Sequence, residues 1–504
     1  MGTSAARSSL YLAIGNVASK VIAGVGQAMF GVLLGPDAFG TYAFVIGIVT
    51  IANIFRDGGI SDHLVRLGPR VDTRVTNEAL AGAIATNSLA ALALAGVAQL
   101  VGLRPEHAEV GTLLVVAAAA MPLGSHFGVA VGVLQSRCEF KKAALLFFVQ
   151  AAVQVLSALA LAALWHSAMA LVLGLVISAA ASSLVGVRLA RINVWPGTNG
   201  WARGMTMIHQ SKWLMAGSLG TALVTGGDYL GLGLSWTNAL LGIYFFGYQI
   251  PAQLGGVASS VGQVLLASLP RATTAEARQQ LLMSGTSALG YIVAPLCFCV
   301  VLVLPLAERL IWGDRWHDAV VVGQILAALF PLRLLLAVAR STRIAAGEYR
   351  RWTVHIGVAG AGLFAVSSAS GRLTTDPAVV AGIIGGFLAC TVAAMTCSAL
   401  RTQGISYVRA LRVVLEPYAL CALLAIPPLA LTQLVTGDVI APSIVAALAG
   451  LAIYGALVGV TVRSLNPQVW HRIRAVASAP FAQKSAAADV DGAVTPRVNE
   501  ALRK

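Results

Sequence analysis

The sequence predicts an all-α integral membrane protein of about fourteen transmembrane helices, with two parallel six-helix lobes around a central cationic cavity and two further helices at the C-terminus. Three observations lead there. Of 504 residues, 58% are hydrophobic and 11% charged, with a mean hydropathy of +0.81, which is more apolar side chain than a water-soluble fold can hide. Apolar stretches of about twenty residues, the length that crosses a bilayer core, recur up to about residue 462 with short breaks between them. Finally, the tetrad Glu-Phe-Lys-Lys at 139–142 returns as Glu-Tyr-Arg-Arg at 348–351.

The first seven stretches cover about 10–34, 41–63, 78–103, 110–134, 143–165, 167–190 and 211–235. The next seven cover about 240–269, 283–306, 319–345, 352–369, 377–400, 413–436 and 439–462. With no water at that depth to satisfy the backbone, such spans must be helices, and their Ala, Leu and Gly content suits close packing. The ten-residue alternating segments of a barrel are missing. The first stretch is too long for a signal peptide, contains Lys20 and lacks a small-x-small cleavage pattern, so it is expected to stay attached. The six cysteines show no metal-ligand spacing and read as packing residues. No metal site is expected.

Positive charge sets the orientation. Six alternate breaks, starting after the second span, hold eighteen Lys and Arg, whereas the others hold four. Both termini are therefore expected in the cytoplasm. The same asymmetry accounts for most of the net charge of +14, so no nucleic-acid partner is needed to explain it.

The repeated tetrad is 209 residues from its copy, and Pro122-Leu123 recurs as Pro331-Leu332 at the same offset. Gly40, Tyr42 and Phe44 match Gly242, Tyr244 and Phe246 at an offset of 202. Spans one to six and seven to twelve thus read as two copies of one unit. An even number of spans per copy makes them parallel, related by an axis along the membrane normal, with a cleft between them suited to alternating access. The expected domains are an N-lobe over 1–192, a cytoplasmic linker at 193–209, a C-lobe over 210–402 and the last two spans within 403–463. A tail over 464–504 follows, basic at its start and disordered towards its end.

Within this frame the tetrads have two readings. Basic residues there anchor topology. Alternatively they form a cytoplasmic gate, with Glu139 pairing across the cleft with Arg350 or Arg351 and Glu348 with Lys141 or Lys142.

Charge inside a span is costly and faces a cavity or a partner. Asn16, Lys20 and Gln27 share a stripe on the first span, and Asn53, Arg56 and Asp57 share a face at the end of the second. Gln249 and Gln253 lie on one side of the eighth span, and Arg333 and Arg340 on one face of the tenth. Asp228, deep in the seventh span, reads equally as a counter-ion for Lys20 or another cation and as an ion-coupling group; Asp57 has the same two readings beside Arg56. Lys20, Arg56, Arg333 and Arg340 outnumber these acids, so the cleft should attract anions, and arginine suits bidentate phosphate contacts.

The segments LLGPDAFGTYAF (33–44), RDGGISDHLVR (56–66), LLGIYFFGYQIP (240–251) and IWGDRWHDAVVVGQILA (311–327) resemble the polysaccharide transporter branch of the multidrug/oligosaccharidyl-lipid/polysaccharide superfamily, the O-antigen and exopolysaccharide flippases. The resemblance implies a flippase of the bacterial inner membrane that moves an undecaprenyl-diphosphate-linked oligosaccharide to the periplasmic leaflet. It also implies that Lys20, Arg56, Arg333 and Arg340 meet the diphosphate, while the sugars fill a polar lumen of Asn16, Gln27, Asn53, Gln249 and Gln253. The implied partners are this lipid-linked glycan, membrane lipids and a glycan polymerase of the same pathway, for a monomer without cofactor. No ATP-binding motif is present, so H+ or Na+, membrane potential or product consumption would drive transport. Lipid II is an alternative cargo, although the start typical of peptidoglycan-precursor flippases is missing. A multidrug cation antiporter would need more acidic residues, and a membrane glycan polymerase would need longer outward loops.

Overall fold

The computed structural model describes residues 2–52, 60–103, 107–269, 274–435 and 440–465, with 272 and 467; the side chains of 2–17, 205–215 and scattered single positions are outside that description. These residues form eighteen α-helices and, among themselves, no strand. The first half comprises α1 (Gly2–Leu33), α2 (Pro36–Ala52), α3 (Ile60–Leu67), α4 (Thr73–Gly102), α5 (Ala108–Leu123), α6 (Ser125–Ser136), α7 (Phe140–Trp165) and α8 (Ala168–Ala190). The second comprises α9 (Gly197–Gly233), α10 (Asn238–Ala252), α11 (Gly255–Ser268), α12 (Ala275–Ala307), α13 (His317–Leu334), α14 (Leu336–Ala345), α15 (Tyr349–Leu373) and α16 (Pro377–Thr402). The last two are α17 (Tyr407–Val435) and α18 (Ile440–Leu465). Ten helical runs are long and apolar enough to cross a membrane, so this is a multi-pass membrane protein.

Taken as α2/α3, α5/α6, α10/α11 and α13/α14, the short helices pair into broken spans, and the described helices make fourteen spans in all. The fourth span of each half and the second span of the second half break within the described residues, whereas 53–59, between α2 and α3, lie outside them. Pro122, Pro251 and Pro331 stand within the last turns before three of the breaks, where a missing N–H and a ring clash interrupt the helical ladder.

Packing repeats as the breaks do. In the first half α1 packs along α7, α4 on α5, α5 and α6 on α8, and α3 on α6. In the second half α9 packs along α15, α12 on α13, α13 and α14 on α16, and α11 on α14. The turn between the fourth and fifth spans of each half is duplicated bond for bond. Arg137, Cys138 and Glu139 donate their N–H groups to the carbonyls of Val133, Gln135 and Leu134; Ala346, Gly347 and Glu348 donate to Thr342, Ile344 and Arg343. Cys138 and Gly347 both take the left-handed conformation, at φ 59° and 74°.

The face carrying these turns, rich in Lys and Arg, is here the basic face. At the opposite face the halves are clasped. Gly40 of α2 lies so close to the Asn238 carbonyl of α10 that no Cβ would fit, and Gly242 of α10 makes the same approach to the Pro36 carbonyl of α2. The two contacts exchange partners across the 202-residue repeat, as a pseudo-two-fold axis requires. Beside them Trp312 and Trp316 donate their indole N–H groups to the carbonyls of Ala28 and Gly31, both at 2.9 Å, and Arg315 donates to Val32 at 2.8 Å. Trp316 stacks on Phe246 at 4.0 Å, with Phe39 edge-on at 5.2 Å.

One expected boundary differs. Most of 193–209 is not a linker but the opening turns of α9, which is continuous from Gly197. Those turns dock on α4, where Arg203 pairs with Glu78 at 3.7 Å, and in the connection before them Asn193 donates to Asn77 at 3.0 Å. α17 and α18 pack on the second half against α12, around Tyr291, Phe298, Cys421 and Tyr454.

Candidate functional site

The kink after Pro331 turns the tenth span so that Arg333, in the last turn of α13, and Arg340, two turns on in α14, line one cavity of about 270 Å³. Thr221, Ser259, Ser341 and Trp352 add polar edges to its wall. Arg333 is half-buried: its guanidinium lies 4.9 Å from the centre of the Tyr248 ring and 5.6 Å from that of Phe330, and it donates to the Val224 carbonyl at 2.9 Å. Cation–π contact on two rings fixes its direction. Arg340 is exposed. Lys20 of α1 is also exposed, and its stem lies against Gly256, where an added Cβ would stand 3.0 Å from Cγ. The neighbouring Gly255 lines the arginine cavity with Arg333 and Arg340.

Asp228 of α9 is fully buried. Its carboxylate accepts from the Tyr229 N–H at 3.0 Å and from the Tyr244 hydroxyl at 3.1 Å, and the nearby positive charge that acts on it is Arg333. The sequence reading allowed Lys20 or another cation as its counter-ion, and the charge that acts on Asp228 here is that of Arg333. Tyr229 meets Tyr248 edge-on at 5.4 Å, which completes a cluster of three tyrosines around the Asp228–Arg333 pair. Of these, Tyr244 stands out in the sequence only as the repeat of Tyr42, and Tyr248 stands one turn from it.

Gln27, Gln249 and Gln253 line a second chamber, of about 170 Å³, together with Gln154 and Tyr42, which sequence reasoning passed over. Asn53, Arg56 and Asp57, and the side chain of Asn16, lie outside the described residues.

The tetrads do not pair across the cleft in this structure. Glu139 pairs with Lys142 of its own helix at 2.8 Å, and Glu348 pairs with Arg351 at 2.9 Å and with the buried Arg343. A partner one turn away is always within reach, whereas a partner in the other half must be brought there. Lys141 and Arg350 are exposed on the same face. Among the described residues, no group of three His, Cys, Asp or Glu side chains could hold a metal ion.

Residues 32–321, more than half of the chain, match the model of a family described as polysaccharide biosynthesis protein. Among solved structures, the lipid II flippase MurJ in an inward closed conformation is similar, with a TM-score of 0.69 and 11% identity over 90% of this chain and 99% of that one. A multidrug resistance MATE family transporter of the MOP superfamily is similar in its inward-facing conformation, with a TM-score of 0.59 and 11% identity over 78% of this chain and 98% of that one. An outward-facing conformation of such a transporter gives a TM-score of 0.50 at 13% identity, over 78% and 96%. At these identities the likeness is one of fold. No curated protein matches the sequence. Broken spans repeated in register, two halves clasped at one face and a family match across both make the chain a member of the polysaccharide biosynthesis protein family, built on the helical fold of the MOP-superfamily transporters.

Proposed function

We propose that the protein is a flippase that carries an undecaprenyl-diphosphate-linked oligosaccharide, the repeat unit of an O-antigen or exopolysaccharide, across the bacterial inner membrane by alternating access. The observation that carries this reading is the convergence of Arg333 and Arg340 on one cavity, with the stem of Lys20 against Gly256 beside it. Planar guanidinium forks match phosphate oxygens two at a time, and a lysine adds a point charge. Such a site favours an anionic headgroup and disfavours the cationic drugs that a multidrug antiporter would bind.

In this reading the basic face is cytoplasmic, in keeping with its Lys and Arg content. The clasp of α2 on α10 shuts the periplasmic side, so the headgroup enters from the cytoplasm. Asp228, hydrogen-bonded to Tyr244 and facing Arg333, is the group through which H+ or Na+ would couple to the site. A diphosphate arriving at Arg333 competes with Asp228 for the same cation, which links substrate binding to the state of the carboxylate.

The test is transport in proteoliposomes. With an undecaprenyl-diphosphate oligosaccharide in one leaflet, the wild type should equilibrate it between leaflets and Arg340→Ala should slow this at least tenfold at equal protein level. Equal rates in Arg340→Ala and wild type would overturn the site. Transport of lipid II in place of the oligosaccharide would overturn the cargo.

A further inference from the structure

The second chamber differs in kind from the arginine cavity. It is walled by α1, α2, α7, α8 and α10, and among the described residues no charged side chain lines it. Its polar groups are amides: Gln27 from α1, Gln154 from α7, and Gln249 and Gln253 from the end of α10. The α10/α11 break brings Gln253 against α1, where an added Cβ on Gly24 would stand 3.7 Å from its Cγ. Gln253 spends its Nε2 donor on the Gln249 carbonyl at 3.2 Å. Its Oε1 acceptor and the Nε2 donor of Gln27 are buried without a partner in the protein. Facing them, Phe30, Phe39 and Tyr42 supply an aromatic wall.

A buried amide arm without a partner is costly, and here one donor and one acceptor are left open in the same chamber. The ligand that answers both carries hydroxyl groups, each of which donates and accepts. An aromatic wall opposite the amides suits the C–H face of a pyranose ring. With about 170 Å³ the chamber is smaller than the roughly 300–1,000 Å³ of drug-sized pockets, which limits it to one ring. Since no cation lines the chamber among the described residues, a carboxylate there would lose its hydration without return.

We infer that this chamber is a recognition subsite for one uncharged pyranose residue of the transported glycan, and that it rejects a uronic acid at that position. The inference rests on the flippase reading for the origin of the sugar. It assigns the two ends of the headgroup to different chemistries, with the diphosphate on arginine and lysine and one neutral sugar on glutamine and aromatic rings.

The experiment is a binding measurement by saturation-transfer NMR on the full chain in nanodiscs. The probes are neutral methyl glycosides of the gluco, galacto, manno and rhamno series, methyl glucuronide, and inorganic pyrophosphate. At least one neutral glycoside should bind saturably, and at least tenfold more weakly in Gln27→Leu and in Gln253→Leu. Methyl glucuronide should bind the wild type at least tenfold more weakly than that glycoside. Pyrophosphate binding should be unchanged in both variants, which also shows that they fold; if either loses it, Gln154→Ala on the facing wall replaces that variant in the comparison. Absence of saturable binding by every neutral glycoside overturns the subsite, as does glycoside binding retained in the variants or glucuronide bound as well as the neutral sugar. Pyrophosphate failing to bind while the glycoside pattern holds would sink the diphosphate assignment and leave the subsite standing.

Discussion

The turn at 133–143 and its copy at 342–352 share their backbone hydrogen bonds, their left-handed residue and an acid paired one turn on with a base, yet they differ in what lies behind them. Arg333, Arg340 and Arg343 of the second copy stand where the first copy has Gly124, Val131 and Leu134. Arg343 is buried, held by Glu348 and by Ser398 at 2.8 Å, while Leu134 is buried among Ile60, Phe127 and Leu146. The scaffold was duplicated and the charge was not. A parallel repeat fixes where helices break and cross, and the chemistry then occupies one copy's departures from the other.

The largest effect is expected where the second copy's charge is most deeply committed. Arg333→Ala removes a charge-assisted hydrogen bond to the Val224 carbonyl, about 1.5–3 kcal/mol, and cation–π contacts on Tyr248 and Phe330, about 2 kcal/mol, together with the positive charge nearest the buried Asp228. The thermal midpoint of the purified protein should fall, and Asp228→Asn in the same background should recover part of it. No recovery would mean that the two charges are not coupled. Next comes the clasp. Gly40→Ala drives a methyl group into the Asn238 carbonyl, so α2 and α10 must part, at about 1–3 kcal/mol or more for an overpacked contact. Thiol labelling of Asn238→Cys from the opposite face should rise in that variant, and Gly242→Ala should do the same through the Pro36 carbonyl if the pseudo-symmetry holds.

Arg343→Leu makes the second copy like the first. Glu348 keeps Arg351 but loses its buried partner, so about 1–3 kcal/mol is expected, read as a lower midpoint with the helix content unchanged. The smallest effect is expected at Lys142→Ala, since an exposed pair one turn apart contributes about 0.3–0.5 kcal/mol. If Glu139→Lys slows transport far more than Lys142→Ala does, pairing across the cleft in another conformation regains its standing.

The span count was legible because hydropathy is a sum over twenty residues, whereas Pro122 and Pro331 were read only as marks of the repeat and not as the breaks they accompany. The start of α9 was not. Its first turns carry Asn199, Trp201 and Arg203, a polar stretch that reads as loop until α4 is there to receive it. At the site, Arg333 and Arg340 stand out because charge in an apolar span always needs a reason. Tyr229 and Tyr248 did not stand out, and Tyr244 did so only as the repeat of Tyr42, because tyrosine in an apolar run reads as packing and the partner of the Tyr244 hydroxyl lies on another helix. The partner of Asp228 is 105 positions along the chain, a separation that only folding closes. The tetrads show the opposite problem: of their two readings, the gate needed partners in the other half, while in this structure Glu139 and Glu348 have partners one helical turn away.

The grip of Arg315 and Trp316 on the carbonyls of Val32 and Gly31 satisfies groups that any helix end leaves open, and Trp312 adds a bond to the Ala28 carbonyl one turn earlier. It also fastens the tip of that helix to the second half while its length rests on α7 of the first. A rod pinned at one end to one body and lying along another acts as a spring between them: when the halves rock, either those three tethers part or α1 bows.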